Sequence, residues 1–339
     1  MTITHADAFE VLCLQAADDG RGEILFGESL QRARKSARPF MVGDEFPSVY
    51  LEFPLMGTPF LDITVLYADT SHGQRVRSEA ASGTDSIFDW FSGVCGSYED
   101  ISFGFELDTK HDDLPQAAVH FQPRRHIELV KPFCAAAGED ERAELYLDLD
   151  KRMPEGWQLS YFGMFRGRPG SPLRACGYHP AEQRRACAES VSHIADVFDR
   201  VGFAAYDDAM LRQISELMAL VPGGSDFQFD VLPDGSLGST FSIEAQLAIE
   251  QPEVVRASFE RGPASQVTRF LLEHGVADDR YRLAAEAAFA RSIPLVDESG
   301  QTSAYAFTLM PQWVKVRWTD GRLQPSKLYF LGTAGPLGK

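Results

Sequence analysis

Residues 304–331 read AYAFTLMPQWVKVRWTDGRLQPSKLYFL, and their alternation decides what kind of sheet the chain can build. Successive side chains of a strand point to opposite sides. In WVKVRW, Val314, Val316 and Trp318 therefore share one face, and Trp313, Lys315 and Arg317 share the other. In SKLYFL, Leu328 and Phe330 face one way, Lys327 and Tyr329 the other. The stretch TDGRLQPS between them is rich in turn formers, so the pair reads as an antiparallel hairpin. One of its faces is apolar. The other interleaves three cations with two aromatic rings.

Working back along the chain, the pattern recurs. Paired strands are predicted over 50–67, over 101–122 with a turn at TKHDDLPQ, over 157–178 with a turn at RGRPGSP, and over 227–247 with a turn at LPDGSLGS. Helical stretches lie between them: GESLQRARKSAR, SIFDWFSGVCG, residues 126–153, residues 181–202, DDAMLRQISELMALV, and the link from PEVVRASFERG through RYRLAAEAAFARSI, whose last run is Arg280 to Ile293. No low-complexity linker interrupts the chain, so residues 1–339 are expected to form a single domain of about five α-β-β-α repeats. Strands delivered in hairpins are antiparallel, which disfavours a doubly wound parallel sheet. About ten such strands leave many edges unless they close, so the expected class is α+β: a ten-stranded antiparallel β-barrel with helices outside. A half-solvated open sheet would show the same alternation.

The polar faces then become candidate lumen faces. Arg174, Cys176 and Tyr178 share one, with Arg166 and Arg168 in the adjoining turn. Gln228, Asp230, Ser242, Glu244 and Gln246 form another, opposite Phe227, Phe229, Phe241 and Ile243. Tyr50 and Glu52 pair off in the first hairpin, as do Asp62 and Thr64, and Ser102 and Glu106 oppose Phe103 and Phe105 in the second. Cations interleaved with aromatic rings suit an anionic ligand that carries an apolar or cationic part.

Composition narrows the partners. The chain has 339 residues, 44% hydrophobic, and a net charge of −17. That charge disfavours nucleic acid and an anionic membrane surface. No run of about 18 apolar residues suggests a membrane span. The five cysteines are odd in number, widely spaced and free of C-x-x-C, as expected of reduced thiols in a cytoplasmic protein. The N-terminal stretch lacks the basic and apolar regions of a signal peptide. There is no D-D-x-x-D, no P-loop, no G-x-G-x-x-G, no G-x-S-x-G and no H-E-x-x-H. The Asp112–Asp113 pair reads as a turn. His120 and His126 flank Arg124–Arg125 without a ligand partner at metal spacing.

On YAFTLMPQWVKVRW, SKLYFLG, Lys327-x-Tyr329 and Arg174-x-Cys176-x-Tyr178, the chain resembles the ABBA aromatic prenyltransferases, from about Gly27 to Leu331. The resemblance implies transfer of an allylic prenyl group from its diphosphate to an aromatic small molecule or a peptide side chain. It implies diphosphate contacts from Arg174, Lys315, Arg317, Lys327, Tyr178 and Tyr329, and a base at Glu52 or else Glu244. Tyr50, Gln228, Gln246 and Trp313 become acceptor-side lumen residues. No cofactor is implied beyond magnesium, which Asp62 would assist if the ion is used. Cys176 stands where a fungal-type member carries Lys, so the diphosphate site is one cation poorer. The rival expectation is a non-catalytic barrel that binds a hydrophobic small molecule or peptide as a biosynthetic accessory protein. Convergent cations favour the enzyme. Cations paired with Glu and Asp favour the binder.

Overall fold

The computed structural model describes residues 3–42, 45–68, 85–94, 96–98, 100–109, 117–168, 170–296, 300 and 302–337. Ten strands alternate apolar and polar side chains as the sequence predicts. They are β1 (Ser48–Pro54), β2 (Asp62–Ala68), β3 (Ser102–Leu107), β4 (Ala118–Gln122), β5 (Leu159–Met164), β6 (Leu173–His179), β7 (Ser225–Val231), β8 (Leu237–Gln246), β10 (Thr302–Thr319) and β11 (Arg322–Pro336). The eleventh, β9 (Phe289–Val296), pairs with the first half of β10. Neighbours run antiparallel in the order β11-β1-β2-β3-β4-β5-β6-β7-β8-β10, and β10 pairs back onto β11. That last pairing closes the ring and settles the choice between barrel and open sheet.

The closure turns the apolar faces outward against helices. Val316, Trp318, Leu328 and Phe330 are fully buried there. So are Phe227, Phe229, Phe241 and Ile243. The covering helices are amphipathic. In α8 (Val191–Val201), Ile194, Val197, Phe198 and Val201 form the buried stripe, and the Phe198 ring lies 4.9 Å from that of Phe241. Ser190 caps its N-terminus and Gly202, at φ 82, supplies the left-handed residue that ends it. In α9 (Asp208–Leu220), Asp207 accepts the Met210 N–H, and Gln213 accepts the Trp318 indole N–H at 2.8 Å. In α5 (Val130–Ala136), Phe133 stacks on Phe121 of β4 with centroids 4.2 Å apart.

Two expectations need correction, and one element is added. The run from Arg280 to Ile293 is helical only over Arg280–Ala287 and then becomes β9. The β-branched residues of that strand are sparse, and its partner β10 holds it extended. The last turn is only Asp320–Gly321, both at positive φ, so most of TDGRLQPS is strand. An N-terminal helix, His5–Ala16, lies ahead of the first predicted element, with Thr4 and Asp7 forming a capping box. Most of the predicted TKHDDLPQ turn, including Asp112 and Asp113, falls outside the described residues.

Candidate active site

Each of the β1–β2, β3–β4, β5–β6, β7–β8 and β10–β11 pairs is a hairpin, so alternation of strand direction gathers their turns at one end of the barrel. The helical connections leave from the other. The two ends of the lumen differ.

Toward the hairpin end, carboxylates hold the cations. The Lys327 ammonium lies 2.6 Å from Glu52 Oε1 and 3.0 Å from Asp62 Oδ2. Glu52 and Asp62 are register partners on β1 and β2. Arg174 meets Asp230, its register partner on β7, at 3.1 Å. Arg168 reaches in from the β5–β6 turn to Glu106 at 2.7 Å, and His120 Nε2 lies 3.1 Å from the other oxygen of Glu106. The guanidinium carbons of Arg168 and Arg174 lie 3.9 and 4.4 Å from the centre of the Phe165 ring. Arg317 is different. Among the described residues it makes no ion pair or hydrogen bond, and its buried Nε has no acceptor.

These pairings set the protonation states. Burial works against charge on Glu52, but Lys327 outweighs it and holds the carboxyl below its ordinary range. Burial pushes Asp62 up to about 7, against Lys327 and with Glu52 adding to the rise, so Asp62 is the member of this pair that takes a proton. Burial also opposes charge on Glu106, yet Arg168 and His120 keep it well below the usual range. Burial, with Arg174 beside it, lowers the Arg317 pKa.

From mid-barrel toward the helix-connection end lies a cavity of about 200 Å³. Arg174, Lys315, Glu106 and His120 line one part of it, and Tyr50, Tyr161, Tyr329 and Trp313 supply aromatic walls. Glu244 is pinned there by Gln228 Nε2 at 2.6 Å, by the Lys315 ammonium at 3.3 Å and by the Tyr161 hydroxyl at 3.3 Å. Asp226, on β7 opposite Glu244, also lines the cavity but forms no ion pair among the described residues. Burial, with Glu244 beside it, pushes Asp226 up to about 7, against the pull of the nearby Tyr161 hydroxyl. The exposed Arg124 marks the mouth.

The structure thus distributes the sequence-predicted residues unevenly. Arg174, Lys315, Tyr329, Glu244, Tyr50, Gln228 and Trp313 share the cavity. Glu52, Asp62, Lys327 and Arg317 are not among its lining residues. They lie toward the hairpin turns, where Lys327 occupies both carboxylates. Two residues are not brought in. Tyr178 keeps the face of Arg174 but lies at the strand end, 45% exposed, and Gln246 accepts the Gly224 N–H at 2.8 Å at that same end. Arg166 pairs outside with Glu139 at 2.8 Å. The cavity also contains Tyr161, Asp226, His120 and Arg124, which sequence reasoning did not select. A bulge between Leu159 and Tyr161 breaks the alternation of β5, so Tyr161 reads out of phase.

Magnesium finds no ready-made ligand set. Asp62 Oδ1 accepts the Thr109 N–H at 3.0 Å and Oδ2 faces Lys327, so both oxygens are engaged. Among the described residues, no three His, Cys, Asp or Glu side chains converge to hold a metal ion. The four described cysteines, Cys13, Cys134, Cys176 and Cys187, are buried and unpaired. No helix among the described residues is long and apolar enough to cross a membrane.

No protein-family model and no curated relative matches the chain in sequence. Solved structures do match in shape. 5-Dimethylallyltryptophan synthase from Streptomyces coelicolor superposes with a TM-score of 0.56 at 12% identity, over 97% of each chain. The prenyltransferase PriB in its apo form gives 0.57 at 11% identity, over 98% of this chain and 96% of its own. PriB in ternary complex with L-tryptophan and dimethylallyl thiolodiphosphate gives 0.55 at 12% identity, over the same shares. The closed ring of ten antiparallel strands, clad in helices and matched end to end by these proteins, is the barrel fold of the ABBA-type prenyltransferases.

Proposed function

We propose that the chain transfers an allylic prenyl group from its diphosphate to an aromatic acceptor held in the lumen. The observation that carries this reading is the cavity itself: cationic Arg174 and Lys315 at its inner part, with Tyr329, Tyr161, Trp313 and Tyr50 around it. The diphosphate would take its charge contacts from Lys315 and Arg174, with the unpaired Arg317 behind them. Its C–O bond breaks heterolytically, the diphosphate leaves with the electron pair, and the tyrosine and tryptophan rings shield the allylic cation from water. An electron-rich acceptor carbon forms the new C–C bond. Its proton then passes to a carboxylate. Glu244 is better placed for this than Glu52, because Glu244 lines the cavity and Glu52 is held by Lys327. The acceptor would be a small aromatic molecule or an aromatic side chain of a peptide. Magnesium, if used, would arrive with the diphosphate.

One observation favours the second reading, a non-catalytic binding barrel. Lys315, Lys327, Arg168 and Arg174 each already face a carboxylate, which leaves little positive charge for a polyanion. Calorimetric titration with dimethylallyl and geranyl thiolodiphosphates, unreactive donor analogues, separates the two, with and without magnesium. Saturable binding of either is expected of the transferase. Folded protein that binds neither is a binding barrel.

A further inference from the structure

The helix-connection half of the cavity holds a carboxylate that has no ionic partner among the described residues, inside an aromatic box. Asp226 projects from β7 beside Glu244 of β8. Lys315 and Gln228 already serve Glu244. Asp226 forms no ion pair among the described residues, although Tyr50, Tyr161 and Trp313 wall the same space. An unpaired carboxylate taken out of water is costly, and a ligand that brings a positive charge repays that cost. Aromatic faces add to the attraction for a cation. A ligand carboxylate at this place would instead lie against Asp226 and Glu244. Arg124 lines the mouth, where it is exposed and makes no ion pair with Asp226 among the described residues.

We propose that this half of the cavity selects an aromatic compound carrying a protonated amine and no carboxylate beside it, with Asp226 as the residue that reads the amine. The proposal deepens the transferase reading by naming the class of its acceptor, but it rests on the Asp226 end alone and holds equally for a binding barrel. The cavity is small, about 200 Å³, which fits a compact arylalkylamine better than a folded peptide segment. The groups facing Asp226 are Glu244 from β8, Tyr178, its register partner on β6, Tyr161 from β5, Tyr50 from β1 and Arg124 from the loop after β4. Burial, with Glu244 beside it, pushes Asp226 itself up to about 7.

The test is binding of three probes that share one ring: tryptamine, L-tryptophan and 3-methylindole, titrated calorimetrically into the wild-type chain and into Asp226→Asn. Tryptamine is expected to bind ~10-fold more tightly than 3-methylindole and ~5-fold more tightly than L-tryptophan. Asp226→Asn should erase most of the tryptamine advantage and leave 3-methylindole within ~2-fold. Tryptamine affinity of the wild-type chain should also fall as pH drops from 8 to 6, because Asp226 takes up a proton near 7 while the amine stays charged. This pH dependence provides a readout even if the variant folds poorly. Tryptophan as the tightest ligand, an unaltered tryptamine affinity in Asp226→Asn with a flat pH profile, or no binding of tryptamine would each overturn the proposal. Amine binding without donor binding would sink the transferase reading and spare this one. Donor binding without amine preference would do the reverse.

Discussion

The two ends of the lumen are built from the same alternation but spend their charges differently. Toward the hairpin turns, Lys327, Arg174 and Arg168 are locked to Glu52, Asp62, Asp230 and Glu106, and Arg317 alone among these cations has no carboxylate. Toward the helix connections, Glu244 is locked in turn and Asp226 is the group without an ionic partner among the described residues. Each end therefore combines a compensated network, which fixes side chains, with one uncompensated group that a ligand can answer. A count of cations in the sequence misses this distinction. Charge available to a ligand is what remains after internal pairing.

The sharpest way to break the comparison is Lys327→Met. It leaves Glu52 and Asp62 buried without their cation and should destabilise the fold by ~3–5 kcal/mol at pH 8, read by urea unfolding. The loss should shrink toward pH 5 as the carboxylates take up protons. Equal loss at both pH values would mean Lys327 acts by packing. Next in size is Glu244→Gln, assayed with any acceptor that the wild-type chain prenylates. It should lower kcat by ~100-fold while donor-analogue affinity stays within ~3-fold. A larger loss in Glu52→Gln than in Glu244→Gln would return the base to β1.

Arg317→Gln sharpens the contrast from the other side. It removes a cation that no internal carboxylate needs, so stability should stay within ~0.5 kcal/mol while donor-analogue affinity falls ~10-fold. Stability loss as large as that of Lys327→Met would erase the distinction between paired and unpaired cations. The smallest effect is expected from Asp226→Asn without ligand. The carboxyl is raised from 3.8 to about 7 on folding, so the folded state binds more protons than the unfolded one between those values. Wild-type stability therefore falls as pH rises from about 4 to about 7 through this group. The Asn variant should melt ~2–5 °C higher at pH 8 and unchanged at pH 4, by scanning calorimetry. An unchanged Tm at pH 8 would mean that Asp226 is already well solvated.

The barrel was legible because its evidence is a period. Val314, Val316 and Trp318 against Lys315 and Arg317 is a pattern that only a strand with two unlike faces produces, and closure follows from the number of edges. β9 was hidden because its helix-forming start continues a real helix, and its extended form comes from β10. The lumen faces of Lys315, Arg317, Lys327, Tyr329 and Arg174 were equally legible. How far along the lumen each residue lies was not, because height depends on strand tilt and register between distant strands. That is why Tyr178, in phase with Arg174, ends up exposed, and why Glu52 and Lys327 were read as separate functions although they form one ion pair. Arg168 came from a turn, where no periodicity points inward.

The most direct test is a crystal structure of the chain with dimethylallyl thiolodiphosphate. The diphosphate should lie against Lys315, Arg174 and Arg317, with the prenyl tail running toward Tyr329 and Trp313 and the Asp226 end left open for the acceptor. Density for the diphosphate at the mouth beside Arg124, or an empty lumen at saturating analogue with Lys327 and Arg174 still clasped to their carboxylates, would contradict the division of the lumen into a donor end and an acceptor end.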